Sequence, residues 1–193
     1  MSRRRGPAAD ALLLAWGETL RTEKRRRVRL RGHILFVGAG TLILLLSAAL
    51  PPAPLLVWNA SASAPIGLYA VAPGAFVEPG DMVVARVPKR YRLLAATRRY
   101  LPRNVPLVKR VAAYAGDEVC GLGRDIFING RWTASRRAAD ATGLPLPWWS
   151  GCLVLRGRQL FLLMDSPASF DGRYFGPTDG DDVIGKATLL WRR

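Results

Sequence analysis

Serine and lysine are the residue types in this chain that are best placed to perform acyl transfer. The sequence contains one histidine, His33, and it lies at the edge of an uncharged apolar run. A Ser-His-Asp triad and a Cys-His pair both need a histidine beside the nucleophile, so neither is expected here. An aspartic dyad needs two paired carboxylates in apposed loops. The remaining arrangement is a serine activated by a neutral lysine.

The candidate nucleophile lies in a segment of small residues that directly follows the apolar run. Ser61 and Ser63 are two positions apart, so their side chains project to the same side of an extended chain. Pro65 and Gly67 end this extended piece. Ser63 would then be the nucleophile, and its backbone N–H and the Ser61 hydroxyl would stabilise an oxyanion. The alternative interpretations are a flexible Ala/Ser linker and a cleavage site.

Three lysines follow the apolar run, and one of them has the pattern of a general base. Lys89 lies in a basic cluster, and Lys186 follows a glycine in a closing strand. Lys109 instead alternates with Leu107 and Val111, which places all three on one face of a strand. If that face is buried, the pKa of the lysine falls from about 10.4. The alternative is an exposed or edge lysine whose ammonium reaches solvent.

The distribution of charge predicts a membrane anchor near the N-terminus. The formal charge is +15, and residues 1–32 contain ten Lys/Arg and three Asp/Glu. Residues 34–58 contain no charged residue. Positive charge before an apolar run is typical of the cytoplasmic side. We therefore predict a basic cytoplasmic segment (1–32), a transmembrane anchor (33–54) in the inner membrane and a periplasmic domain (55–193). A cleaved signal peptide is the alternative.

The periplasmic part has the pattern of a mostly β domain. Short β-like runs alternate with Gly and Pro, one helical pattern covers 90–101, and 133–150 is expected to be a loop. Asn129-Gly130 predicts a two-residue hairpin turn, because such a turn needs positive φ at both central residues. The predicted strands are 67–71, 81–87, 107–119, 125–128, 131–133, 159–164 and 183–191.

The two cysteines predict a disulfide rather than a metal site. Cys120 and Cys152 both fall in the predicted periplasmic part, and that compartment is oxidising. Two cysteines and His33 do not make a tetrahedral zinc site, so no metal and no cofactor are expected. Trp148 and Trp149 are consistent either with a membrane interface or with packing in the domain.

Four short motifs follow one another along the chain. These motifs are residues 59–69 (NASASAPIGLY), 80–84 (GDMVV), 107–111 (LVKRV) followed by 115–117 (AGD), and 169–177 (SFDGRYFGP). The first carries the two serines, and the third carries the lysine discussed above. Their order is that of the signal peptidase I superfamily, and the chain resembles in particular its TraF-type conjugative transfer peptidases.

The resemblance implies roles for individual residues and a fold. Ser63 takes the place of the catalytic serine, with Lys109 as the general base. Ser61 matches the position whose hydroxyl contributes to the oxyanion hole. The fold implied is a mostly β catalytic domain of antiparallel sheets behind one transmembrane helix, with its active-site cleft near the membrane.

The last motif supplies the residues that support the base. By the same resemblance, Ser169 hydrogen-bonds and orients the amine of Lys109. Asp171 and Arg173 pair to hold the framework of the site. Gly172 stands where the family often has a serine, a difference that concerns substrate preference more than the Ser-Lys chemistry.

The resemblance implies an endopeptidase that cleaves after small residues, often alanine, in a membrane-bound prepilin. The expected partners are this precursor, membrane lipid and other proteins of the transfer apparatus, whereas nucleic acid is not an expected partner. Cleavage would end in hydrolysis or in cyclisation of the pilin. The alternatives are a general type I signal peptidase, a non-catalytic envelope component, and a nucleic-acid binder that uses residues 1–32.

Overall fold

The computed structural model describes residues 7–49 and 53–193, in two compact units. The first contains helix α1 (Pro7–Ala49). An 18-residue window within its stretch Glu23–Ser47 has a mean hydropathy of 1.7, and the length of this window is close to the roughly 20 residues that a membrane span needs. An N-terminal helix with the length and composition of an anchor is thus present, as predicted. Residues 1–6 of the predicted cytoplasmic segment and 50–52 of the predicted anchor lie outside the described residues.

The second unit, Ala53–Arg193, is built from two antiparallel sheets, which confirms the predicted mostly β fold. The strands are β1 (Leu56–Asn59), β2 (Gly67–Ala72), β3 (Met82–Ala85), β4 (Leu107–Ala113), β5 (Glu118–Leu122), β6 (Asp125–Ile128), β7 (Arg131–Ser135), β8 (Gly151–Val154), β9 (Phe161–Leu163) and β10 (Val183–Arg192). The large sheet has the strand order β1-β2-β10-β3-β4-β9, and the small sheet has the order β7-β6-β5-β8. The helical elements are α2 (Lys89–Thr97), α3 (Gly172–Phe175) and a 3₁₀ turn (Gly180–Asp182).

The core covers both faces of the large sheet at β3 and β4. Val84 and Val108 belong to one apolar cluster, whereas Val83, Leu107 and Val111 belong to another. Successive side chains of a strand point to opposite faces, so the two clusters lie on opposite sides of the sheet. A polar side chain on the face of β4 that Leu107 and Val111 share therefore has apolar neighbours.

The hairpin predicted at Asn129-Gly130 joins β6 to β7. Asn129 has φ 49° and Gly130 has φ 74°, and Ile128 pairs with Arg131 across the turn. Positive φ at both central residues is the property that the two-residue turn requires. This prediction is confirmed.

The strand predicted over 107–119 is in fact two strands in different sheets. The chain turns after Ala113, where Gly116 adopts φ 100° and the backbone N–H of Tyr114 donates to Asp117 Oδ2 at 3.0 Å. Glycine adopts this conformation without the steric penalty of a side chain, so it permits the turn inside an otherwise continuous apolar pattern. The four-residue strands β1 and β8 were not predicted, because neither is long enough to show a clear alternation.

The predicted disulfide joins Cys120 of β5 to Cys152 of β8. The two cysteines are register partners across the strands, with a Cα–Cα distance of 4.0 Å. Their separation of 32 residues corresponds to roughly 3–4 kcal/mol of stabilisation in the chain-entropy model. The disulfide therefore fixes β8, a strand at the edge of the small sheet.

Candidate active site

The segment that carries the two candidate serines is held in shape by the amide of Asn59. Asn59 is the last residue of β1 and is buried. Its Nδ2 donates to the carbonyl oxygens of Ser61 (3.0 Å), Ala64 (3.2 Å) and Pro65 (3.0 Å), and its Oδ1 accepts from the backbone N–H of Ser61 at 3.1 Å. The Tyr69 hydroxyl also donates to the Pro65 carbonyl at 2.9 Å.

These contacts argue against a flexible linker at this place. One buried side chain satisfies backbone groups that a tight loop would otherwise leave without partners. Asn59 lies in the first of the four motifs, but no role was predicted for it from the sequence. No sequence pattern distinguishes this asparagine, because its burial and its carbonyl partners depend on the fold.

Lys109 lies at the centre of β4 and only 4% of it is exposed. Its strand partner is Val83, a residue of the apolar cluster that also contains Leu107 and Val111. The strand alternation left open whether this face is buried, and the structure shows that it is. The Nζ of Lys109 donates to Ser63 Oγ at 2.7 Å and to Ser169 Oγ at 2.8 Å.

Burial lowers the pKa of Lys109 from 10.5 to about 8. The negative charge of Asp171 opposes this change, and the positive charge of Arg173 adds to it. With a pKa near 8, about a tenth of the amine is neutral at pH 7, compared with roughly one part in 3,000 at the ordinary value. The amine is therefore able to accept a proton near neutral pH.

A buried ion pair holds the segment that supplies Ser169. Asp171 Oδ1 accepts from Arg173 Nε at 2.8 Å, and both side chains are buried. Asp171 Oδ2 accepts from the Met164 backbone N–H at 3.1 Å, while Arg173 Nη2 donates to the Met164 carbonyl at 2.5 Å. The pair thus ties the residues around Ser169 to the end of β9, the strand beside β4.

The structure brings the predicted polar side chains into one hydrogen-bonded chain. Ser61 Oγ lies 2.9 Å from Ser63 Oγ, and the Ser63 backbone N–H donates to Ser61 Oγ at 3.4 Å. Ser63 in turn contacts Lys109, which contacts Ser169. The chain lines a cavity of about 260 Å³. Ser63 Oγ is only partly buried, so a group in the cavity can approach it.

Arg136 and Trp149 lie between β7 and β8 and contact the segment of the Asp171–Arg173 pair, a role that was not predicted from the sequence. The buried Arg136 donates through Nη1 to the Trp149 carbonyl at 2.7 Å, and its guanidinium carbon lies 5.4 Å from the centre of an indole ring of Trp149. Trp149 Nε1 donates to the Gly172 carbonyl at 3.0 Å. Trp149 therefore packs inside the domain and contacts the segment of the Asp171–Arg173 pair, whereas Trp148 remains exposed.

One group of potential metal ligands occurs among the described residues. The carboxylate of Glu118 lies close to the sulfurs of Cys120 and Cys152. Those sulfurs are joined in the disulfide, and zinc binds cysteine as the thiolate. This group therefore does not form a thiolate metal site.

The family model "Signal peptidase, peptidase S26" matches residues 29–192 of the chain. The chain therefore belongs to this family of peptidases, and the membership predicted from the four motifs is confirmed.

Similar proteins are found among conjugation proteins and signal peptidases. The plasmid transfer protein TraF of Escherichia coli is 32% identical over 176 residues, which cover 84% of this chain and 97% of that protein. A probable conjugal transfer protein TraF of Sinorhizobium fredii is 29% identical over 185 residues, which cover 86% of this chain and 92% of that protein. The crystal structure of a signal peptidase I from Enterococcus faecalis is 20% identical, covers 59% of this chain and 98% of its own, and aligns with a TM-score of 0.36.

Proposed function

We propose that the protein is a membrane-anchored serine endopeptidase that uses a Ser63–Lys109 dyad to process a precursor protein in conjugative transfer. The observation that carries this proposal is the 2.7 Å contact between Lys109 Nζ and Ser63 Oγ, made by a lysine in apolar surroundings. A buried lysine with a lowered pKa next to a hydroxyl is the arrangement that activates a serine without histidine.

In the acylation step, neutral Lys109 takes the proton of the Ser63 hydroxyl while Oγ bonds to the scissile carbonyl carbon. The carbonyl oxygen becomes an oxyanion. When the tetrahedral intermediate collapses, the C–N bond breaks and the protonated amine of Lys109 gives its proton to the leaving nitrogen. The product is an ester between Ser63 and the acyl part of the substrate. Ser169 is the positioning residue for Lys109, since it accepts a hydrogen bond from Nζ at 2.8 Å.

The oxyanion is stabilised by the Ser63 backbone N–H and the Ser61 hydroxyl. In the free protein these two groups face one another, at 3.4 Å. A carbonyl carbon bonded to Ser63 would bring its oxygen within reach of both donors, and rotation of the Ser61 hydroxyl turns its proton toward the oxyanion. Loss of one oxyanion donor reduces turnover by about 10²–10³ in well-studied peptidases.

Deacylation returns Ser63 to its free form by one of two routes. Lys109 accepts a proton from water, the hydroxide oxygen attacks the ester carbonyl, and Ser63 leaves as an alcohol after taking that proton. If the amino terminus of the bound substrate attacks instead, a peptide bond forms and the ester bond to Ser63 breaks. Lys109 passes the proton that the amine loses to Ser63 Oγ, and the product is cyclic.

The two TraF proteins support a substrate that belongs to conjugation, because they resemble this chain over more than four-fifths of its length. We take that substrate to be a membrane-bound prepilin with small residues before the cleaved bond. Other proteins of the transfer apparatus are the remaining partners. A general type I signal peptidase, which acts on many exported proteins, would have no such link to transfer proteins.

The proposal places residues 1–32 in the cytoplasm, the anchor in the inner membrane and the catalytic domain in the periplasm. The basic residues before the apolar stretch support this orientation, and so does a disulfide in an oxidising compartment. Lipid contact is supported by an exposed aromatic pair, Trp58 and Trp191, whose ring centres lie 5.6 Å apart. Leu190 and Arg192 beside Trp191 are also exposed, and this mixture is typical of membrane interfaces.

The proposal is tested by co-expressing the full chain with its cognate precursor and measuring the mass of the product. Ser63→Ala and Lys109→Met should both abolish processing, since one lacks the nucleophile and the other lacks the base. Methionine keeps the volume of the buried lysine. Lys89→Met is the matched control, because Lys89 is exposed, and it should process normally.

The mass also separates the two routes of deacylation. A linear product formed in oxygen-18 water gains one heavy oxygen, whereas a cyclic product lacks one water and gains none. Full processing by the Ser63→Ala variant would refute the dyad. Normal conjugation without any processing would instead support a non-catalytic envelope component.

A further inference from the structure

The cavity beside Ser63 and Lys109 is larger than a small substrate residue needs. Its volume is about 260 Å³. An apolar cavity of about 150 Å³ is enough to hold benzene. The methyl group of an alanine would leave most of the space unfilled. The size of the cavity therefore indicates that a larger substrate group also binds in it.

The walls of the cavity are mainly apolar and aromatic. Leu101 follows helix α2, Leu107 lies on β4, and Phe170 follows Ser169 directly in the chain. The ring of Phe170 lies 5.0 Å from that of Tyr100 and 5.9 Å from that of Tyr174, centre to centre. All three rings line the cavity. A further ring placed there would join an existing aromatic group, which adds attraction beyond its area.

The acidic group in the wall already has its hydrogen-bond partners. Asp140 Oδ1 accepts from the backbone N–H groups of Thr142 (2.9 Å) and Leu144 (3.0 Å), and Oδ2 accepts from the Tyr100 hydroxyl. Arg137, which also lines the cavity, is exposed, so its guanidinium is hydrated. A cationic substrate side chain would therefore lose water without gaining a dedicated partner.

One wall is a short hairpin, residues 138–146, that is fixed in place before any substrate binds. Ala139 pairs with Pro145, and the Leu146 backbone N–H donates to the Ala138 carbonyl at 2.9 Å. Arg98 Nη1 donates to the Pro145 carbonyl at 2.7 Å, which ties the hairpin to the end of α2. The cavity is thus preformed, and little ordering cost remains for a ligand.

We propose that this cavity is a subsite for a large apolar side chain of the substrate, with an aromatic ring preferred. The inference rests on the proposed function, because it takes Ser63 and Lys109 to be the catalytic pair beside which that side chain binds. The substrate would then be recognised by two features, a small residue at the cleaved bond and a bulky residue nearby.

The subsite is tested by peptide binding to the full-length Ser63→Ala protein in detergent micelles, measured by calorimetry. The probes are nine-residue peptides of alanine and serine with lysine at both ends. The parent contains no aromatic residue, and each other peptide carries one phenylalanine at a different position. We expect one position to bind about ten- to a hundredfold more tightly than the parent, as for other apolar pockets.

Two variants show whether the cavity is responsible. Leu146→Trp fills the cavity and should remove the preference for phenylalanine. Leu144→Trp is the matched control, because Leu144 belongs to the same hairpin, is exposed and does not line the cavity. It should keep the preference. Ala141→Trp provides a second cavity-filling variant if Leu146→Trp fails to fold by circular dichroism.

Binding and cleavage separate the two proposals. Equal affinity for all peptides, or no measurable binding of any phenylalanine peptide, would overturn the subsite. So would a preference that survives in the folded cavity-filling variant. If the protein with Ser63 intact cleaves a peptide without regard to phenylalanine, the subsite is wrong and the peptidase proposal stands. If the preference for phenylalanine is present but neither peptide nor precursor is cleaved, the subsite stands and the peptidase proposal is wrong.

Discussion

Replacing Lys109 with methionine is expected to stabilise the protein at neutral pH even though it removes the proposed base. Burial lowers the pKa of Lys109 from 10.5 to about 8, so at pH 7 the folded protein holds a buried ammonium group. The unfolded chain hydrates the same group and keeps its ordinary pKa. Methionine fills a similar volume without charge.

The magnitude follows from the two pKa values. The folded-state pKa is the lower one, so between pH 8 and pH 10.5 the unfolded state binds more protons and wild-type stability rises with pH. The cost of the buried charge is about 3 kcal/mol below pH 8 and disappears toward pH 10.5. Losing the hydrogen bonds to Ser63 and Ser169 costs about 1 kcal/mol each. The expected net gain in unfolding free energy for the variant at pH 7 is therefore about 1 kcal/mol.

The pH dependence of the difference in unfolding free energy is the sharper measurement, because the cost of the lost hydrogen bonds does not depend on pH. Between pH 7 and pH 9.5 the unfolding free energy of Lys109→Met should fall relative to wild type by about 2 kcal/mol. Urea unfolding of the full chain in micelles, followed by tryptophan fluorescence, reports on the second unit, because five of the six tryptophans lie there. Lys89→Met should show no such change. If the difference in unfolding free energy between Lys109→Met and wild type stays constant over this pH range, the pKa of Lys109 is not lowered and the reasoning is refuted.

Three further predictions concern the dyad, the serine loop and the disulfide. The kcat/KM of peptide cleavage should rise about tenfold from pH 6 to pH 7 and level off above pH 8, because only neutral Lys109 accepts the Ser63 proton. Asn59→Asp should lower the unfolding free energy by about 1–3 kcal/mol, measured by urea unfolding, because it replaces a buried donor to three carbonyl oxygens with an acceptor. The Cys120→Ser/Cys152→Ser double variant should lose roughly 3–4 kcal/mol in the same assay.

Each of these has an outcome that contradicts it. A rate that keeps rising up to pH 10 would mean that Lys109 titrates as a hydrated lysine. Wild-type stability of Asn59→Asp would show that the loop does not depend on the amide, and Asn104→Asp, at an exposed asparagine, is its control. Adding a reductant to the wild type should reproduce the loss seen in the double cysteine variant and should not affect that variant further.

Features that depend on near neighbours in the chain were predictable. The alternation of Leu107, Lys109 and Val111 is a property of any strand, so it placed the three residues on one face of β4 before the sheet was known. Asn129-Gly130 likewise determines its own turn, through φ values that few other residue pairs adopt. The motif order identified the family, which the comparison over residues 29–192 confirms.

Features that depend on which distant segments meet were not predictable. Asn59 and Arg136 have no distinctive sequence pattern, and their importance lies in carbonyl groups that they reach after folding. The turn at Gly116 separated two strands that share one continuous apolar pattern. Only the pairing of β4 and β5 with different sheets reveals that they are separate.

The sequence by itself determined the candidate nucleophile, the candidate base and the residues that share a strand face with that base, because residue type and strand period are local properties. The tertiary structure decided that Ser63 and Ser169, which are 46 and 60 positions from Lys109, both contact its amine. It also decided the size of the cavity and the burial that lowers the pKa of Lys109. These quantities arise from the packing of elements far apart in the chain, and no local pattern contains them.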